Sequence, residues 1–184
     1  MKLRGILYYS AWHGHTASDE TRIGRRLAHA CIDALRSVEP VFAAADPARI
    51  ENAPRGKPRC PGGPDFSIAH SAPLIACAAV TRGDVGLDVE CDDAVERLTF
   101  ATICDADELV LARAIGARRF WMAKEAALKA GGGTIEEIGS VRVHAGGASF
   151  RGVRYHARDV DIDGRWAACL MTSEPDVPFE VCRL

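Results

Sequence analysis

No stretch of this chain is apolar for long enough to cross a bilayer as a helix, so a membrane protein is not expected. No C-x-x-C pair occurs, which excludes the common thiolate zinc centres. The seven cysteines (Cys31, Cys60, Cys77, Cys91, Cys104, Cys169 and Cys182) are odd in number, and several sit in apolar stretches. A free thiol there behaves as a small hydrophobe. A disulfide framework is therefore not indicated, and a reducing cytoplasm is the expected compartment. The opening MKLRGILYYSAW has Arg4 where an export signal needs its apolar core, and no small-residue cleavage site follows. Charge of one sign is also lacking. A formal charge of −2 provides no bulk attraction to nucleic acid or to an anionic membrane.

What is present is ordinary globular material. The 184 residues are 48% apolar, enough to bury a core in one large domain or two small halves. A strand is expected over residues 3–9 and a helix over 19–37, where Ile23, Leu27, Cys31 and Leu35 recur at four-residue spacing. Ser18 or Asp19 is positioned to cap that helix, and Arg22, Arg25 and Arg26 lie off its apolar stripe. Residues 54–64 are rich in Pro and Gly and read as a loop. Strands are expected over 66–69, 74–81 and 85–90, with Arg82-Gly83-Asp84 turning the last two into a hairpin. Asp105 and Glu108 have the spacing of a capping box for a helix carrying Leu109, Ala112 and Ile115. A second helix, 117–130, ends at Gly131-Gly132-Gly133. Strands at 141–143, 153–156 and 166–171 follow, and the tail beyond Glu174 reads as peripheral. The expected class is α+β, with an N-terminal half (1–82) and a C-terminal half (83–184) in one compact unit.

Two acidic motifs carry the chemistry. In Gly86–Glu90, Asp88 and Glu90 are two apart and project to the same side of a strand. Neighbouring carboxylates repel unless they are solvated or share a cation. In Phe120–Ala130, Trp121, Glu125 and Lys129 line one helical stripe, with Lys124 beside Glu125. Taken alone, the first motif is a solvated strand end, and the second holds a surface pair worth about 0.3–0.5 kcal/mol. Together they supply three carboxylates and two lysines, a set suited to holding Mg²⁺ against a phosphate-bearing substrate. His70, Lys57 and the helix arginines each have a bland reading as packed or solvated side chains. His13 and His15 stand at ligand spacing without a third ligand nearby. Gly131–Gly133 lacks the Gly-Lys-Ser/Thr of a phosphate loop.

These motifs resemble the Sfp-type 4′-phosphopantetheinyl transferase family. The family pattern is a Gly-x-Asp-x-Glu strand followed by a Trp-x-x-Lys-Glu-x-x-x-Lys helix. Upstream come a Gly-Lys-Pro turn, here Gly56-Lys57-Pro58, and a Phe-Asn-x-Ser-His-Ser segment, here residues 66–71. The matches span residues 56–133 in the family's order. The resemblance implies two pseudo-symmetric α/β halves with a coenzyme A cleft between them. It implies Mg²⁺-dependent transfer of the 4′-phosphopantetheine group to a serine of an apo carrier protein, releasing adenosine 3′,5′-bisphosphate. Asp88, Glu90 and Glu125 would hold the metal, and Glu125 would also take the serine proton. Lys124 and Lys129 would contact phosphates. His70 would bind a phosphate, Ser71 would line that site, and Lys57 would lie near the nucleotide. The front lacks the family's basic helix for the 3′-phosphate, and Arg22, Arg25 or Arg26 is expected to take over that task, with Arg22 and Arg26 the named candidates. An acidic carrier helix would dock near Arg118, Arg119 and Met122, and a monomer is expected. The sequence departs from the pattern at Ser67 (family Asn), at Ala69 (family Ser), at Met122, and in the glycine run, which lacks the family's lysine.

Two other classes compete. A metal-dependent nuclease or phosphodiesterase would use clustered acids and a lysine, but no Glu-x-Lys or Asp-x-Lys triplet follows the first acid, and a basic balance is missing. A non-catalytic relative would bind coenzyme A or a carrier without turnover.

Overall fold

Alternation along the strands sorts them into two sheets stacked face to face. The structure is a computed structural model that describes residues 4–11, 16–52, 56–91, 100, 103–162, 164 and 166–184. His13, His15 and Leu3 lie outside the described residues. In chain order the elements are β1 (Gly5–Ala11), α1 (Ala17–Val38), β2 (Asp65–Ser71), β3 (Leu74–Val80), β4 (Val85–Cys91), α2 (Ala106–Ile115), α3 (Ala117–Ala130), β5 (Arg142–His144), β6 (Gly147–Phe150), β7 (Val153–Ile162), β8 (Trp166–Thr172) and β9 (Phe179–Arg183). The first sheet runs β2-β3-β1-β9 and the second β4-β8-β7-β6-β5. All pairings are antiparallel except β1 with β9. The α+β class is as expected. Among the described residues no helix is long and apolar enough to cross a membrane.

Three clusters of buried side chains make four layers. The stripe of α1 (Leu27, Cys31, Ile32, Leu35) packs on Ile6, Phe66, Ile75 and Cys77 of the first sheet. The opposite face of that sheet (Leu7, Ala76, Ala78, Val80) packs on Leu87, Val89, Ala168 and Leu170 of the second. The far face of the second sheet (Val143, Ala148, Tyr155, Cys169, Met171) takes α3 through Phe120, Ala123, Ala126 and Ala127. Because β3 is buried on both faces, its seven residues read as a continuous apolar run.

The hairpin expected between 74 and 90 does not form. The hairpin is β2–β3, closed at Ala72-Pro73, with Ser71 opposite Leu74. Both edges of β3 are taken by β1 and β2, so after Arg82-Gly83-Asp84 the chain leaves that sheet and β4 pairs with β8. The tail is not peripheral: β9 adds to β1 in parallel register, Gly5 opposite Phe179. The short strand β6 escaped the sequence reading, and β7 runs to Ile162 rather than His156. The cap of α1 is Thr16, whose hydroxyl accepts the Asp19 N–H, rather than Ser18 or Asp19. Asp105 caps α2 by accepting the Glu108 N–H at 2.9 Å, but Glu108 does not reciprocate; its carboxylate is used inside the protein. α3 stops at the glycines as expected. Gly132 adopts φ 61°, which disfavours a side chain, and the Gly133 N–H closes back on the Leu128 carbonyl at 2.9 Å.

The two sheets are joined at a seam between β2 and β4. β4 is an edge strand, and its outward N–H groups meet side chains of β2 instead of another strand. Val85 N donates to Asp65 (2.8 Å), Leu87 N to the Ser67 hydroxyl (3.1 Å) and Cys91 N to the Ser71 hydroxyl (3.2 Å), each pair 20 residues apart. The edge is thus covered and three of its donors, Val85, Leu87 and Cys91, are satisfied. By the same spacing Ala69 stands at the Val89 rung, and it carries no hydroxyl. Lys57 clamps the seam's start, ion-paired with Asp65 and donating to the Val85 carbonyl at 2.9 Å.

Candidate functional site

The α3 helix can reach β4 only because residue 86 is glycine. A Cβ there would lie 1.8 Å from the Ala126 carbonyl oxygen, an impossible contact. This close approach brings the acids of β4 under the polar stripe of α3. Asp88 and Glu90 share the helix-facing side of the sheet with Cys169 and Ala167, the residues opposite them on β8.

Lys129 sits between the two motifs. Its Nζ lies 2.7 Å from Asp88 Oδ1 and 3.0 Å from Glu125 Oε2. Asp88 and Glu125 therefore already share one cation, the ammonium group of Lys129. Asp88 is only 3% exposed, and its Oδ2 is buried without a partner when the carboxyl is ionised. Burial pushes the Asp88 carboxyl well above the usual range; Lys129 pulls it back and Glu125 adds to the rise. A protonated Asp88 can donate to Glu125, which gives the orphan oxygen its hydrogen bond. Glu125 moves the other way. Its partial burial favours the neutral acid, but the Lys129 charge and the hydrogen bonds from Asp88 and Lys129 outweigh that and hold it ionised. Burial likewise disfavours the charged form of Lys129, and the charges of Asp88 and Glu125 more than reverse it. The Asp88 carboxyl is thus pushed toward its neutral form and the Glu125 carboxyl toward its ionised form, with Lys129 bridging the two.

Glu90 lies at the open end of the row. Its Oε2 accepts the Ser71 hydroxyl at 3.2 Å, so Ser71 ties the seam to the acids. Burial raises the Glu90 carboxyl; the Ser71 hydrogen bond opposes this and the Glu125 charge adds to it. His70 is exposed at the end of β2, and its charge is felt by both Glu90 and Glu125. Asp88, Glu90, Glu125, Lys129, Ser71 and His70 are therefore brought together.

Other expected site residues are placed elsewhere. Lys124 is fully buried and cannot touch a phosphate. Its ammonium pairs with Glu108 at 3.0 Å and donates to the carbonyls of Val141 (2.7 Å) and Ile103 (3.2 Å). One residue along a helix turns the side chain by about a hundred degrees, and that places Lys124 on the face packed against α2 and β5. Lys57 is likewise committed, to Asp65 and Val85 at the seam, which leaves its ammonium only slightly exposed. On α1, Arg22 pairs with Asp19 at 3.2 Å and Arg26 is exposed. Met122, expected at a docking surface, is buried, and Arg119 is ion-paired with Asp159. Glu108, Asp65 and Ser67 were missed. The period-two polar residues Asp65, Ser67 and Ser71 on β2 were the available signal for the seam. Nothing local marked Glu108 as the partner of Lys124.

The donors of Asp88, Glu90 and Glu125 are hard carboxylate oxygens, which suit Mg²⁺ rather than a soft metal. When Asp88 is ionised its Oδ2 lacks a partner, and in that state a bound cation would satisfy it. In this arrangement, however, the described residues include no group of three His, Cys, Asp or Glu gathered tightly enough to grip one ion. Lys129 stands between two of the acids, and Ser71 holds the third.

No model of a known protein family matches the chain, and no curated protein matches it.

Proposed function

We propose that this protein is an Sfp-type 4′-phosphopantetheinyl transferase, a cytoplasmic monomer that modifies a serine of an apo acyl or peptidyl carrier protein using coenzyme A. The observation that carries the proposal is the joint hold of Asp88 and Glu125 on the Lys129 ammonium, a strand acid and a helix acid facing one cation across the Gly86 contact. The ordered motifs around it favour this chemistry over nuclease action.

In this reading the serine oxygen bonds to the pantetheine-side phosphorus of coenzyme A. The bond from that phosphorus to the bridging oxygen breaks, and adenosine 3′,5′-bisphosphate leaves with the electron pair. Glu125, held ionised, accepts the serine proton. Lys129 and His70 neutralise charge on the phosphoryl oxygens, the main demand of such a transfer. Asp88, Glu90 and Glu125 would hold Mg²⁺, which when bound would spread the charge developing on the leaving group. Arg22 and Arg26 on α1 are offered to the 3′-phosphate. Lys124 and Lys57 drop out of the ligand-binding set and act in the scaffold.

The test is to incubate the protein with coenzyme A, Mg²⁺ and a panel of apo carriers, then weigh the carriers. A mass gain of one phosphopantetheine group, lost in Glu125→Gln, is expected. Coenzyme A binding without any mass gain across the panel would instead select the non-catalytic reading.

A further inference from the structure

The second sheet is longer than the first sheet that covers it. On the face packed against the first sheet, β4 and β8 present Leu87, Val89, Ala168 and Leu170. The same face continues past β8, where cross-strand register puts Arg142, Ser149 and Arg154 in one row and His144 beside it. Those side chains are exposed or half-exposed. A cavity of about 440 Å³ opens there, lined by Ser140, Arg142, His144, Ser149, Arg151 and Arg154, with no aspartate or glutamate among its described lining residues.

Two of its arginines are fixed from behind. Arg142 donates to the buried Glu108 at 3.0 Å and is also ion-paired with Asp105 at 3.5 Å. Arg151 donates to Glu137 at 2.6 Å and to the Gly131 carbonyl at 3.3 Å, and lies 4.9 Å from the centre of the Phe150 ring. Arg154 carries no ion pair among the described residues. Arg142 and Arg154 sit two strand spacings apart, roughly 9–10 Å, with the Ser149 hydroxyl between them. Arg154, with no ion pair of its own among the described residues, and the Ser140 and Ser149 hydroxyls line the cavity, and Arg142 and Arg151, each anchored by carboxylates, border it. Guanidinium forks match phosphate oxygens two at a time. The volume falls in the range of small-molecule pockets, of order 300–1,000 Å³, and is larger than one phosphate needs.

We propose that this cleft is an anion site for a small phosphate-bearing molecule with one or two phosphoryl groups, separate from the carboxylate site at β4 and α3. The class is set by the donors; the extra volume takes the organic part of the ligand.

The experiment is a titration of the whole chain with inorganic pyrophosphate at constant ionic strength, followed through backbone amide resonances. Saturable shifts at residues 140–144 and 147–154 are expected. Arg154→Ala should weaken binding about tenfold, the loss of one charged hydrogen-bonding group. Arg154→Lys should fall between, keeping the charge without the fork. Lys129→Ala should leave these shifts intact, so failure here and failure of the transferase reading are told apart. The inference is overturned if those amides do not saturate, if Arg154→Ala leaves them unchanged, or if chloride produces the same shifts. Tighter binding there of an acidic protein or a single-stranded oligonucleotide would also overturn it.

Discussion

Helix α3 carries two lysine–carboxylate clusters, and they are built on opposite principles. At Lys124 all charge is matched and every donor is used: Glu108 and two carbonyls surround the ammonium, and Glu108 itself accepts from Val143 and Arg142. At Lys129 one ammonium faces two carboxyls with a third nearby, an oxygen of Asp88 lacks a partner when that carboxyl is ionised, and the lysine side chain remains 29% exposed. The first cluster is saturated and serves packing. The second is more open and its two carboxyls are shifted in opposite directions, the pattern of a functional-site candidate. Neighbouring residues of one motif thus do different work because the helix turns them to different faces.

The most severe way to break this contrast is to remove Lys124. Lys124→Ala leaves Glu108 buried without its cation and should lower stability by about 3–5 kcal/mol, read as a drop in the denaturant midpoint at constant slope. Lys129→Ala should cost much less stability, because Glu125, the group left without its ammonium, is partly exposed and can take a proton. Equal losses for the two variants would erase the distinction.

Next in size is chemistry. Glu125→Gln should reduce carrier modification by at least about 10²-fold with the fold retained, followed by mass spectrometry of the carrier. A third prediction concerns pH. Since Asp88 is raised in the folded protein, the native state holds a proton that the unfolded chain has lost between the ordinary aspartate range and the raised value. Stability should therefore fall as pH rises through that window. Asp88→Asn should flatten that slope and stabilise the protein at neutral pH, measured by denaturation at several pH values. A slope unchanged in the variant would mean that another group binds the proton. The smallest effect belongs to the seam. Ala69→Ser offers the Val89 N–H the hydroxyl its neighbours enjoy and should add about 1 kcal/mol, with slower hydrogen exchange at Val89.

The sequence was most informative where structure is local. The strand at 85–90 and the helix at 117–130 were legible because alternation and glycine stops are written within each segment, and their facing acids followed. Non-local features were hidden. Arg82-Gly83-Asp84 has hairpin chemistry, yet which edge of β3 was free depended on β1. The prolines at 175 and 178 disguised β9, whose hydrogen bonding comes from a strand at the other end of the chain. Lys124 looked like a partner of the phosphates because its own partner sits 16 residues away, in another helix.

The placement of β9 has a practical consequence. The last strand of the chain belongs to the sheet of the first, so the two halves are laced together like a belt passed back through its buckle. A fragment ending near residue 82 would leave one flank of β1 bare, a ready template for aggregation. Expression of the separate halves should therefore fail unless residues 179–183 are grafted back beside β1.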